Sequence, residues 1–158
     1  MRILCAIGIR RGGELVRQVA TITREGDELV LLHVIDVGPR HDLNGLRGPL
    51  HPHHERKGEL DAAEEETGEA TLGEALEEAG RLGLVAAKRL ERGRPEQAIV
   101  SLAAEIDAGL VVIQARESPQ SHPRIGPPSV GHTARFVVDH SPTAVLLLRD
   151  GSLRASSP

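Results

Sequence analysis

The residues able to do chemistry fall into a few clusters. His51, His53 and His54 lie in one stretch with His41, Asp42 and Glu55. Neutral imidazoles and carboxylates are ligands for zinc or nickel. The spacing matches no closed structural zinc motif and no cysteine lies among them, so a polar loop is the simpler expectation. Metal sensing through His51, His53 and His54 stays as an alternative. Arg10, Arg11, Gly12 and Gly13 form a second cluster, two cations followed by two glycines, of a kind that suits an anion. Gly8 and Gly13 echo the G-x4-G spacing of a phosphate loop, but no Lys-Ser or Lys-Thr follows. Solvated surface arginines are the plainer reading. Ser129, His132 and Asp139 have the types of a catalytic triad, yet no G-x-S-x-G elbow supports one. Cys5 sits in an apolar run and reads as a small buried hydrophobe rather than a nucleophile. Glu64, Glu65, Glu66, Glu74, Glu77 and Glu78 recur along one stretch, where a solvated face accounts for them. No catalytic residue is expected.

The elements that must position these residues alternate between strand and helix. Ile3-Leu4-Cys5-Ala6-Ile7 is a continuous apolar run, as in a strand buried on both faces. A helix is expected over 14–22, with Leu15, Val16 and Val19 on one side. A second buried strand covers 29–35 and contains His33, read as a structural histidine. An irregular loop rich in Pro, Gly and His runs from 36 to about 56. A long acidic helix over 59–82 follows, weakened by Gly68 and Gly73. A short strand over 85–90 leads to Gly93-Arg94-Pro95-Glu96, where Pro95 suits the first position of a helix that Gly109 ends. Leu110-Val111-Val112-Ile113 is the fourth strand. Residues 115–130 read as a loop, His132 to His140 as a short helix stopped by Pro142, and Ala144-Val145-Leu146-Leu147-Leu148 as the fifth strand. This pattern predicts one α/β domain over 1–150 with a five-stranded parallel sheet, Rossmann-like or flavodoxin-like, in the order 3-2-1-4-5. Residues 151–158 form a frayed tail. A ligand in such a sheet sits at the carboxyl ends of the first and fourth strands.

Composition narrows the function classes. The 158 residues include no Trp and no Tyr, and Phe136 is the single Phe, so the core is aliphatic. Single-strand nucleic-acid platforms need several exposed rings. With a net charge of −4 and no long basic tract, no nucleic-acid partner is expected. One cysteine suits a reducing compartment, and neither a leader nor an apolar membrane span is read, so a cytoplasmic protein is expected.

The C-terminal stretch carries a family resemblance. Gly131-His132-Thr133-Ala134-Arg135-Phe136-Val137-Val138-Asp139-His140-Ser141-Pro142, running into Ala144-Val145-Leu146-Leu147-Leu148-Arg149, resembles the signature of the universal stress protein family. There the family reads G-S-V-S-R-Y-V-L-R-H-A-P-C-P-V-L-V-V-R. Leu32-His33-Val34-Ile35 and Gly93-Arg94-Pro95-Glu96 agree with it. Nucleotide-binding members carry G-x2-G-x9-G-S/T after the fourth strand, and an Asp at the end of the first. In this sequence the first two glycine positions are Gln114 and Glu117, the Asp position is Gly8, and His132 follows Gly131. The spacer 118–130 is thirteen residues, four more than the family pattern.

The resemblance therefore implies a stress-response or regulatory domain with a degenerate nucleotide site and without tight ATP binding. The remnant of that site would comprise Ile7, Gly8, Arg10, Val34, Gln114, Arg116, Gly131, His132 and Thr133. The alternative is an ATP-binding member with an altered phosphate site, using Arg10, Arg11, Arg116 and Arg124 and at most hydrolysing slowly. Family members commonly dimerise through the final strand, so the resemblance also implies a homodimer.

Overall fold

The structure, a computed structural model, describes residues 1–9, 11–37, 53–115 and 130–149, with the backbone alone for 53–57. Its elements are β1 (Arg2–Ala6), α1 (Gly12–Ala20), β2 (Glu28–Asp36), α2 (His53–Arg81), β3 (Val85–Gly93), α3 (Pro95–Glu105), β4 (Leu110–Gln114), α4 (His132–His140) and β5 (Ala144–Leu148). The five strands form one sheet in the order β3-β2-β1-β4-β5, and every pairing is parallel. Both the expected order and the alternation of strand and helix are present.

Two-sided burial explains why the strands read as unbroken apolar runs. Alternate residues of β1 serve opposite faces: Ile3 and Cys5 pack with Leu15, Val16 and Val19 of α1 and Leu72, Ala75 and Ala79 of α2. Leu4 packs on the other side with Ile99, Leu102 and Ala103 of α3 and Ala134 and Val137 of α4. Ile3, Leu4 and Cys5 have no exposed surface, which fixes β1 as the centre of the molecule. Among the described residues no helix is long and apolar enough to cross a membrane.

Several boundaries differ from the sequence expectation, each for a local reason. Helix α1 starts at Gly12 and stops at Ala20, because the hydroxyls of Thr21 and Thr23 donate to the carbonyls of Gln18 and Ala20 at 2.7 and 3.1 Å and satisfy the last turn. Strand β3 continues past Leu90 to Gly93, since Glu91, Arg92 and Gly93 pair with Val34, Ile35 and Asp36. Helix α2 begins at His53, earlier than the expected 59, so His53 and His54 stand in its first turn rather than in a loop. Helix α3 ends at Glu105, and the left-handed residue after it is Asp107, with φ 52°, rather than Gly109. Residues 38–52, 116–129 and 150–158, where the sequence reading placed loops and a tail, lie outside the described residues.

Two glycines are explained by close approach rather than by turns. A Cβ on Gly12 would lie 2.9 Å from the Ala75 Cβ and 3.0 Å from the Thr71 carbonyl oxygen, so α1 begins in direct backbone contact with α2. A Cβ on Gly68 would lie 2.8 Å from Leu90 Cδ1 and 2.9 Å from the His33 ring. Gly68 is therefore a packing seat, and its weak helix propensity is offset by contact. Gly73, by contrast, has nothing within 4 Å of a Cβ position.

The two sheet edges are unlike. Beside β3, Lys88 pairs with Glu69 of α2, Arg92 pairs with Glu65 at 3.0 Å, and Arg89 faces Glu105 at 3.9 Å. Charges of this kind blunt an edge against pairing with another chain. Strand β5 offers Ala-Val-Leu-Leu-Leu and pairs with β4 on one side.

Gly12→Ala is expected to destabilise the fold by about 1–3 kcal/mol through overpacking. Gly73→Ala should stabilise it by up to about 1 kcal/mol through helix propensity. Urea midpoints of the two variants, moving in opposite directions, check the distinction.

Candidate functional site

The carboxyl edge of the sheet is where the topology reverses, and the sequence-predicted residues there can now be placed. Pairing of Cys5 with Val112 sets β1 beside β4, so Ile7 and Gln114 come to the same edge. Ile7 is 4% exposed. Its N–H donates to the Leu32 carbonyl at 2.8 Å, and its carbonyl accepts from His33 Nδ1 at 2.8 Å. Gly8 is exposed, with nothing within 4 Å of a Cβ position. Among the described residues, none comes within 4 Å of a Cβ placed at this position. Val34 is half-buried and packs on the α3–α4 side. Gln114 pairs with Leu148, and the N–H of Ala115 donates to the Leu148 carbonyl at 2.8 Å.

Helix α4 opens at the same edge. Gly131 precedes it with φ 92° and ψ 158°, a conformation that is essentially restricted to glycine. Its carbonyl accepts the Arg135 N–H at 3.1 Å, the first bond of the helix. His132 is exposed, with Nε2 3.9 Å from Oε1 of Glu96. Glu96 occupies the first turn of α3, directly after Pro95 at a position where a carboxylate is favoured by the helix dipole. Its side chain is only 13% exposed. Thr133 is half-buried in the first turn of α4. Sequence reasoning had not included Glu96. The signal for it was available in Gly93-Arg94-Pro95-Glu96, which starts a helix on this edge.

The structure thus brings Ile7, Gly8, Val34 and Gln114 to one edge with the start of α4. Arg10 and Arg116 lie outside the described residues, as do Glu117, Arg124, Ser129 and His51. The side chains of His53 and His54 are not described. No cluster of three or more metal-ligating side chains occurs among the described residues. Arg11 borders a polar groove of about 290 Å³ between α1 and α2, lined also by Glu14, Arg17, Glu74, Glu78 and Arg81. That pair of helices covers the face of the sheet opposite α4. The groove is knitted by ion pairs: Glu78 accepts from Arg17 at 3.2 Å and from Arg81 at 2.9 Å, while Arg17 also pairs with Glu14 at 2.9 Å. Hydrogen bonds from Arg17 and Gln18 hold the Glu14 carboxyl below its usual range.

Two further sequence readings concern reactivity. Burial pushes the Cys5 thiol up to about 12, so it is protonated and inert at neutral pH. The Phe136 ring stacks on His140 with centroids 4.1 Å apart, part-way along α4.

With this geometry in hand, the comparisons are decisive for the family. The sequence model of the Universal stress protein family matches residues 1–149. The chain belongs to that family. Solved structures agree with the fold. A universal stress protein from Lactobacillus plantarum superposes with a TM-score of 0.69 at 18% identity, covering 94% of this chain and 97% of the other. One from Archaeoglobus fulgidus gives a TM-score of 0.68 at 21% identity, covering 93% and 97%. A family member from Arabidopsis thaliana, solved with AMP bound, gives 0.63 at 13% identity and covers 99% and 96%. No curated protein sequence matches the chain. Membership makes this universal stress domain a stress-response protein with the family's Rossmann-like sheet.

The backbone alone accounts for Gly131, whose φ of 92° and ψ of 158° only glycine adopts readily. Gly131→Ala is expected to lower stability by about 1–3 kcal/mol in nucleotide-free protein, because Ala resists that conformation. Thermal or urea unfolding without ligand checks this.

Proposed function

We propose that this universal stress domain is a cytoplasmic, non-catalytic regulatory module that works as a homodimer and without tight ATP binding. The observation that carries the reading is Gly8. Gly8 brings no carboxylate of its own to hold a nucleotide, and Gln114 and Glu117 stand where the family pattern has two glycines whose backbones would approach phosphates. Hydrogen bonds involving a charged group are worth roughly 1.5–3 kcal/mol each. Losing two or three weakens binding by about a hundredfold to more than ten-thousandfold. Glu96 beside His132 adds a negative charge near the start of α4, which further disfavours an anion there.

A second reading has support of its own. The Arabidopsis relative was solved with AMP, and Gly131 still shapes the start of α4 here. On that reading ATP binds in an altered geometry, with Thr133 at the phosphates and slow hydrolysis at most. Calorimetric titration of nucleotide-stripped protein with Mg-ATP separates the two. The leading reading expects no heat up to millimolar ATP. Micromolar binding that Thr133→Ala abolishes would establish the second.

The bare edge of β5 supports the dimer. Leu148 directs its carbonyl to β4, so in an alternating strand Val145 and Leu147 present their backbone N–H and C=O to the open side. Val145→Pro removes an outward donor while leaving the bonds to β4. Sedimentation equilibrium should show a dimer for the wild type and a folded single chain of 16.9 kDa for the variant. A wild-type monomer at micromolar concentration would sink this part of the proposal.

A further inference from the structure

The described ends of the turn between β1 and α1 both lie near α2, the first through His33 of β2 and the second by direct contact at Gly12. At its start, the Ile7 carbonyl accepts from His33 Nδ1 at 2.8 Å across 26 residues of chain. A carbonyl only accepts, so the proton of this neutral-type contact is on Nδ1. His33 is 6% exposed, and its ring is pressed by α2, where a Cβ on Gly68 would fall 2.9 Å from Cδ2 and 3.5 Å from Nε2. At the far end of the turn, Gly12 lies against Thr71 and Ala75 of the same helix, and a Cβ there would also fall 3.2 Å from Ile7 Cγ2. Gly68, Thr71 and Ala75 follow one another at helical spacing and so share one face of α2. Between these two anchors Gly8 and Ile9 are exposed, and nothing lies within 4 Å of a Cβ on Gly8.

From this we infer that α2 sets the conformation of the β1–α1 turn, with His33 as the positioning residue that transmits the place of Gly68 to the Ile7 carbonyl. A shift of α2 along or away from the sheet moves the imidazole, frees a buried carbonyl at the end of the central strand and releases Gly8 and Ile9. An event on the exposed acidic side of α2 is thereby felt at the carboxyl edge, whether or not that edge binds a nucleotide.

The side-chain chemistry supplies a compensating pair. Asn places a donor near where Nδ1 stands but lacks the distal ring atoms that crowd Gly68. His33→Leu removes the donor altogether. Gly68→Ala pushes the ring aside. The double variant His33→Asn with Gly68→Ala restores the donor and the space on the His33 side, while Leu90 Cδ1, 2.8 Å from the new Cβ, is the free end of a side chain that can turn away. The test uses the full chain labelled with nitrogen-15. Wild-type imidazole spectra should show His33 with the proton on Nδ1. Amide exchange at Ile7, whose N–H is held by the Leu32 carbonyl beside His33, should rise about tenfold or more in His33→Leu and in Gly68→Ala as the end of β1 loosens. The Gly8 amide peak, in the same peptide group as the Ile7 carbonyl, should move in both. Exchange at Val112 in β4 should stay within about twofold of wild type, as should every site in Gly73→Ala. The double variant should return Ile7 and Gly8 towards wild-type values. Unchanged Ile7 exchange in Gly68→Ala overturns the inference. So does an equal rise at Ile7 and Val112, which marks global loosening, and so does a double variant no better than Gly68→Ala alone. Gly68→Ala and the double variant keep the test decisive should His33→Leu fail to fold.

Discussion

The constraint on which the structure depends is a core built without aromatic bulk. A parallel sheet covered on both faces must be sealed by side chains that fill the space between layers to crystal-like density. Here aliphatic residues supply that filling, with Ala75, Ala79 and Ala103 among those fully or almost fully buried. Small side chains bring helix backbones close to the sheet and to one another. The approach becomes close enough at Gly12 and Gly68 that even a methyl group has no room. The helices are consequently held by backbone proximity as much as by interlocking side chains, and α2 in particular touches the sheet, α1 and the β3 edge.

The same economy of side chains shapes the carboxyl edge. A Rossmann-like sheet gathers backbone termini and helix starts at its topological switch point, which is where ligands of such folds reside. In this chain that gathering persists. Gly8, Gln114 and the start of α4 meet there, and the Glu96 carboxylate lies 3.9 Å from His132 Nε2. The packing of this frame requires Ile7, Gly12 and Gly131 whatever is bound. A fold and its ligand are separable because their residues are largely different residues.

Much of this was legible in the sequence. The strands are continuous apolar runs, which fixed their identity and hence the parallel sheet, and the last helix and strand were placed at His132–His140 and Ala144–Leu148 as observed. Local punctuation was less informative. Residues 53–58 carry no apolar periodicity, so the early start of α2 left no sign. The end of α3 fell to Asp107, a residue type that tolerates the left-handed region, while Gly109 stood nearby as the more obvious candidate. Gly68 read as a defect in a helix because propensity is a local quantity, whereas the reason for it is His33, thirty-five residues away in sequence and in contact in space. For the candidate site, Ile7, Gly8, Val34, Gln114 and the Gly131 helix start could be assigned from spacing and resemblance. The pairing of Glu96 with His132 could not, since it joins two helices whose relative placement only the packed sheet determines.

The unequal edges of the sheet carry a consequence for stoichiometry. One edge is armoured by Lys88, Arg89 and Arg92 with their carboxylate partners, and the other is an uncharged aliphatic strand. Growth by edge-to-edge pairing needs two adhesive ends per unit to propagate. A molecule with a single adhesive end terminates after one event, and a self-complementary contact of that kind closes about a two-fold axis. Joining two such sheets at β5 leaves a charged β3 at each outer margin of a continuous ten-stranded sheet. In the proposed dimer the asymmetry acts as a chain terminator, favouring a pair over a fibre.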